Sequence, residues 1–157
     1  MLTIRPVVES DVSLLLSLAN ECPPLDIHTP YTYWVLCHLF KAGCFIALEN
    51  ERPIGFITSV VEGKRSLLWQ VGVIESHRGQ GVAQHLINSV VIYAKRLHLL
   101  AVEVSIDPNN INSKSTFLSY TKMHNLSFDQ IGTVELKDDA SKFYEFENLY
   151  MIGLEPS

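Results

Sequence analysis

The chain has 157 residues, the span of one ordinary domain, and is 47% hydrophobic and 18% charged, which excludes disorder, collagen-like repeats and low-complexity scaffolds. A formal net charge of −5 argues against a nucleic-acid surface, because phosphate contacts need clustered Lys and Arg. No apolar run approaches the ~20 residues that cross a bilayer, and no basic-then-apolar leader is visible, while three cysteines without a C-x-x-C pair fit buried free thiols in a reducing cytoplasm rather than a disulfide framework or structural zinc.

In chain order, Leu2 and Ile4 before Pro6 predict a short strand. A helix is expected from Ser10 or Asp11 to about Asn20, capped by Ser10, with Val12, Leu15, Leu16, Leu18 and Ala19 on its apolar face. The segment 21–26, with Pro23 and Pro24, must be a loop. Thr29-Pro30 opens a second helix as cap and first helical residue, and Gly43 can stop it. Two strands, 44–48 and 54–61, flank the polar turn 49–53 and read as a hairpin; a third strand runs 67–73. A strongly periodic helix follows from about Gly81 to Leu97, with Val82, Leu86, Val90, Tyr93 and Leu97 in one stripe. Alternating Val102, Val104 and Ile106 give a strand, 109–125 a shorter helix and 143–152 a last strand. The order β-α-α-β-β-β-α-β-α-β predicts a mixed α/β sheet.

Chemistry concentrates in the stretch from Trp69 to Ala83, where a strand ends, a glycine-rich polar turn follows and an amphipathic helix starts. Gly79 and Gly81 permit positive φ and close approach of a ligand. The free N–H groups at the helix start, aided by its dipole, then converge on an anion. Ordinary tight turns also use glycine, so phosphate binding and a plain turn both remain open on this ground alone.

The run Arg78-Gly79-Gln80-Gly81-Val82-Ala83 matches the R-x-x-G-x-G/A signature of the GNAT acetyltransferase superfamily, which the element order also resembles over the whole chain. Within it, five segments resemble the diaminobutyrate acetyltransferases of ectoine biosynthesis: Glu21 to Asp26 (Glu-Cys-Pro-Pro-Leu-Asp), Tyr31 to Cys37, Trp69 to Val73 (Trp-Gln-Val-Gly-Val), Arg78 to Gly81, and Glu145 to Tyr150. The resemblance implies a single-domain GNAT fold over 1–157, of class α/β (α+β): a mixed, mostly antiparallel sheet splayed after the fourth strand and flanked by helices. It implies acetyl-CoA as cosubstrate and a homodimer; the six histidines are scattered with no pair at ligand spacing, so no metal is expected. The cofactor would lie on Val71, Gly72, Val73, Arg78, Gly79, Gln80, Gly81, Val82, Ala83, Asn110 and Ser113. Gly72 would occupy a bulge that opens the sheet, although a glycine there also makes room for core neighbours. Asn110 would contact the pantetheine arm, although an Asn there also caps a helix. Seven residues beyond Asn110, where many members place a tyrosine as general acid for the leaving thiolate, this chain has Phe117. Tyr120 is one turn farther on. A thiol of pKa ~8.5 leaves tolerably without that acid.

The implied acceptor is a small cationic amino acid. A protonated amine cannot attack a thioester, and an alkyl ammonium of pKa ~10 costs roughly 4 kcal/mol to deprotonate at pH 7 unless a base or field helps. The α-amine, near pKa ~8, is the easier of the two, so acetylation of the side-chain amine must be imposed by geometry. Asp26 in its Pro-Pro loop is the leading anchor, or else a turn aspartate. Trp69 is a pocket wall or a core aromatic. Glu145 and Glu147 share one face of the last strand, as substrate contacts or solvated strand residues. His77 is expected to help the turn rather than act as a base. Rival readings are an acetyltransferase for another amine or a protein N-terminus, and a non-catalytic acyl-CoA sensor.

Overall fold

The computed structural model describes residues 1–154. Its elements are β1 (Leu2–Pro6), α1 (Val12–Asn20), α2 (Pro30–Leu39), β2 (Phe45–Glu49), β3 (Arg52–Glu62), β4 (Arg65–Val73), α3 (Val82–Arg96), β5 (Ala101–Ile106), α4 (Ile111–Met123), β6 (Phe128–Asp138) and β7 (Phe143–Gly153). The sheet has seven strands in the order β1-β2-β3-β4-β5-β7-β6. Every pairing is antiparallel except β4 with β5. The α/β sheet flanked by helices is the one expected, with one strand more than the sequence pattern predicts.

That extra strand, β6, pairs with β7 from Phe128–Ile152 to Asp138–Phe143, and its register shifts between Gln130 and Gly132. The shift inserts Ile131 as an unpaired residue, which breaks the two-residue alternation by which a strand is recognised. β6 is also the edge of the sheet and mostly exposed, so it carries little apolar pattern.

Local chemistry explains the helix starts. Thr29 Oγ1 accepts from the Thr32 N–H at 3.2 Å, and Pro30 takes the first position of α2. Ser10 does not cap α1. Asp11 precedes that helix, and its carboxylate accepts from the Val8 N–H at 2.8 Å and from both terminal nitrogens of Arg5, at 2.8 and 3.1 Å. α2 ends at Leu39, not at Gly43. Gly43 lies in a following 3-10 turn, where an added Cβ would stand 2.7 Å from Ser59 Oγ.

Leu86, Ile87, Val90, Val91 and Ala94 bury the inner face of α3, while Leu97 lies beyond its end and is exposed. The two helical layers cover opposite faces of the sheet. Gly72 faces Cys22 of the α1–α2 loop, whereas the next residue, Val73, packs beside Leu86 of α3 around Gly55.

The sheet splits partway along β4. β4 and β5 pair only from Arg65–Ala101 to Leu68–Val104. Beyond that point β4 follows β3, and β5 follows β7 through Ser105–Leu149 and Ile106–Asn148. A slot opens between Trp69–Val73 and the end of β5.

Candidate active site

The bulge that accompanies this split is at Trp69, not at Gly72. Thr58 pairs with Gln70 and Ser59 with Leu68, so Trp69 is the inserted residue. Gly72 is regularly paired with Phe56, and its missing side chain admits neighbours: a Cβ there would meet Phe56 Cε1 at 3.1 Å and Cys22 Sγ at 3.2 Å. Ile74 N–H donates to Ile54 O at 2.9 Å and Gln70 N–H to Thr58 Oγ1 at 3.1 Å, both on β3. By the alternation of a strand, the main-chain groups of Val71 and Val73 turn the other way, into the slot.

At the end of β4 the chain passes through a 3-10 turn, Glu75–His77, into the glycine turn. Gly79 has φ +76° and Gly81 φ +82°, and an added Cβ at either would meet nothing within 4 Å. Their requirement is therefore conformational, and the space before them is open to a ligand. Gly81 is the residue before α3, with no side-chain cap, and no acidic residue occupies the first turn. The N–H groups of Val82, Ala83 and Gln84 at the start of a 15-residue helix are left for an anion. Gln80 lies on the exposed side of the turn, where its Nε2 donates to Ser76 O at 3.4 Å. His77 ties the turn down, with Nε2 at 2.5 Å from Glu49 Oε2 and Nδ1 at 2.9 Å from Ser76 Oγ. The cradle thus fits a pyrophosphate through main chain alone.

Arg78 turns away from the cradle opening. Its Nε donates to Val73 O at 3.0 Å and its NH2 group to Pro23 O at 2.9 Å, clamping the α1–α2 loop to the end of β4. Gln70 holds the same loop from below. Buried at 5% exposure, it donates from Nε2 to Asp26 O at 2.6 Å and accepts at Oε1 from the Tyr33 hydroxyl at 3.0 Å. Sequence reasoning missed Gln70 as a functional support; a lone glutamine between Trp69 and Val71 in the strand was the available signal.

Four carboxylates converge across the slot. Asp26 from the loop, Asp107 from the end of β5 and Glu145 from β7 each lie within electrostatic reach of Glu147 on β7. Burial first, then Glu145, Asp107 and Asp26, push the Glu147 carboxyl above the ordinary glutamate value, while the Ser105 hydroxyl beside it works in the opposite direction. Trp69 stands at the same place, half-exposed, its indole centroid 5.3 Å from the His28 ring. His28 is half-buried between Trp69 and Tyr33, whose ring lies at 5.7 Å. In the sequence Asp107 reads only as part of the stretch 107–110 that resembles the family's second cofactor segment, and His28 carries no signal of its own.

Asn110 caps α4: its Oδ1 accepts from the Ser113 N–H at 3.1 Å, so both residues are accounted for by the helix start. Phe117 is buried and stacks parallel to Phe128 at 6.3 Å. Tyr120 is no substitute acid, since its hydroxyl donates to Asn88 Oδ1 at 2.8 Å and burial pushes its pKa to about 12. Among the described residues, no group of three or more His, Cys, Asp and Glu is placed to hold a metal, and no helix is long and apolar enough to cross a membrane.

Comparison with known proteins agrees with this fold. The Acetyltransferase (GNAT) family profile matches residues 13–119. An L-2,4-diaminobutyric acid acetyltransferase from Marinococcus halophilus is 31% identical over 95% of this chain and 87% of its own. Its counterpart from Halalkalibacterium halodurans is 32% identical over 77% of this chain and 65% of its own. The solved structure of a diaminobutyrate acetyltransferase from Paenibacillus lautus, in complex with its substrate L-2,4-diaminobutyric acid and coenzyme A, superimposes with a TM-score of 0.85 at 24% identity, covering 100% of this chain and 98% of that one.

Proposed function

The chain belongs to the GNAT acetyltransferase family, and from that premise we propose that it transfers the acetyl group of acetyl-CoA to the side-chain amine of L-2,4-diaminobutyrate, the step used in ectoine biosynthesis. The whole chain, 1–157, would act as one acetyltransferase domain. The observation that carries this reading is the gathering of Asp26, Asp107 and Glu145 around Glu147 at a slot whose other edge is the main chain of Val71 and the Val73 N–H, the Val73 carbonyl being taken by Arg78. An anionic slot beside an acyl-binding edge suits an acceptor that carries two ammonium groups.

Acetyl-CoA would lie with its pyrophosphate on the N–H groups after Gly81 and its pantetheine arm along Val71–Val73, beside Asn110. Asp26 and Glu145 hold the α-ammonium, and Trp69 walls the chain of the acceptor. Glu147 takes the proton from the side-chain ammonium, a task that its raised proton affinity favours. The freed amine attacks the thioester carbonyl; a C–N bond forms, the C–S bond breaks, and the thiolate leaves without a tyrosine acid, taking up the second proton that the nitrogen sheds as it becomes an amide. The Val73 N–H, turned into the slot, polarises the carbonyl oxygen. No acetyl-cysteine intermediate is needed, since Cys22, Cys37 and Cys44 are all buried, with the Cys37 and Cys44 thiols raised to about 11 and about 12 by burial. Those reduced thiols also support a cytoplasmic setting, and the family resemblance supports a homodimer.

The test is acetyl-CoA turnover, read as free-thiol release, with diaminobutyrate beside ornithine, lysine, spermidine and a peptide. Preference for diaminobutyrate, with the product acetylated on the side-chain amine, is the expected result. Preference for another amine keeps the cosubstrate and overturns the acceptor; CoA binding with no turnover on any amine overturns the enzyme reading.

A further inference from the structure

The four carboxylates of the slot explain how two ammonium groups are held, but they repel the carboxylate that an amino-acid acceptor also carries. That group needs a hydrogen-bond donor, preferably one that adds no full positive charge to compete with the ammoniums. The guanidinium tied into this frame, Arg78, is committed to the carbonyls of Val73 and Pro23. His28 is not committed. Its Nε2 is shielded from solvent and has no hydrogen-bond partner, one of three such side-chain atoms among the described residues. A buried polar atom left unpaired costs about 1–3 kcal/mol, so its retention beside a binding slot points to a partner that arrives with the ligand.

Its position suits that use. His28 follows Asp26 by two residues, and its ring is gripped between Tyr33 at 5.7 Å and Trp69 at 5.3 Å. Tyr33 is in turn fixed by Gln70, which also holds the Asp26 carbonyl, so the imidazole is registered against the anchoring loop. We propose that His28 is a specificity residue of the acceptor site, its Nε2–H donating to the carboxylate of the amino-acid acceptor. The inference rests on the acceptor site described under the proposed function. Burial favours the neutral imidazole, Asp26 opposing it, which keeps the donor from adding a competing charge. Trp69, 44% exposed, packs on the imidazole, so a carboxylate seated at Nε2 changes the surroundings of the indole.

The decisive comparison is between L-2,4-diaminobutyrate and 1,3-diaminopropane, the same diamine without its carboxylate. In the native chain kcat/KM favours diaminobutyrate. In His28→Phe, which keeps a ring of similar bulk and removes the donor, that ratio falls about 10- to 100-fold, mostly through KM, as expected for a hydrogen bond to a charged group. His28→Gln, whose amide N–H can reach the place of Nε2, restores part of the ratio. Acetyl-CoA affinity within twofold of native certifies that the variants fold. Equal loss on both substrates, or an unchanged ratio in His28→Phe, would overturn the assignment. In a Trp34→Phe background, where Trp69 is the sole tryptophan, saturating diaminobutyrate shifts the emission; a spectrum that does not move overturns it too. If the native chain acetylates neither diamine, the acceptor reading itself fails, and the role of His28 falls with it. If it acetylates both but indifferently, the acceptor reading for amines survives and the His28 proposal alone is lost.

Discussion

On the α3 side of the slot, the groups offered to a ligand are main-chain: the N–H groups of Val82, Ala83 and Gln84 behind two positive-φ glycines, and the outward edge of Val71 and Val73. On the loop side they are side chains: Asp26, His28, Trp69, Asp107, Glu145 and Glu147, drawn from four segments far apart in sequence. In the proposed reaction, the difference follows from what each side would recognise. A pyrophosphate and an extended amide arm are served by any backbone of the right shape, so local geometry suffices. A small diamine must be measured, anchored and deprotonated, and only side chains fixed by tertiary contacts do that. The frame behind them, Tyr33 to Gln70 to the Asp26 carbonyl and Arg78 to Pro23, holds the acceptor side where the cofactor side needs only its turn.

If the two sides are separable, damage to one should leave the other intact. The largest effect is expected from Glu147→Gln, which removes the proton acceptor: kcat falls about 10²- to 10⁴-fold while acetyl-CoA affinity by calorimetry stays within twofold. A loss of acetyl-CoA binding would show that the sides are not independent. Gly81→Val makes the opposite cut. A branched Cβ at φ +82° is strained and must rebuild the turn, so acetyl-CoA affinity drops about tenfold or more, with the remaining turnover still selective among amines.

Gln70→Ala sharpens the comparison by attacking the frame rather than either wall. The Tyr33 hydroxyl and the Asp26 carbonyl lose their partner, a cost of about 1–3 kcal/mol that thermal unfolding would read as a fall in Tm of several degrees. KM for the amine should rise, and KM for acetyl-CoA should not. The smallest effect is again at Glu147, now in stability. Its folded-state pKa is raised, so the folded chain holds the proton longer than the unfolded one; stability is greatest below the unfolded value and declines as pH rises through the folded one. Glu147→Gln removes that decline, leaving the variant slightly more stable than the native chain at pH 7 and less active. Denaturant titration at pH 4 and pH 7 distinguishes this from a carboxylate that supports the fold. Asp11 supplies the opposite sign: Arg5 first, with the Val8 N–H, holds its carboxyl below the ordinary value, so its contribution is present at neutral pH and lost on acidification.

Much of the fold was readable because its signals are local. The stripe Val82, Leu86 and Val90 announces α3, Thr29-Pro30 starts α2, and Gly79 and Gly81 mark a turn that bulkier residues cannot make. β6 was not readable because a bulge at Ile131 interrupts its alternation on an exposed edge. The bulge at Trp69 was likewise displaced from the glycine that seemed to mark it, since pairing register is set by two strands and not by one.

What the sequence by itself determined is therefore the part whose chemistry resides in consecutive residues: the glycine turn, the helix that follows it and the apolar faces that build the sheet. Only the tertiary structure decided that the sheet parts after Leu68, that Arg78 and Gln70 serve as clamps, and that Asp26, Asp107, Glu145 and Glu147 share one field. Backbone recognition needs a local conformation, which composition and spacing encode directly. A shifted carboxylate and an unpaired imidazole exist only once distant segments are brought within a few ångströms, because burial and neighbouring charge are properties of the packed chain.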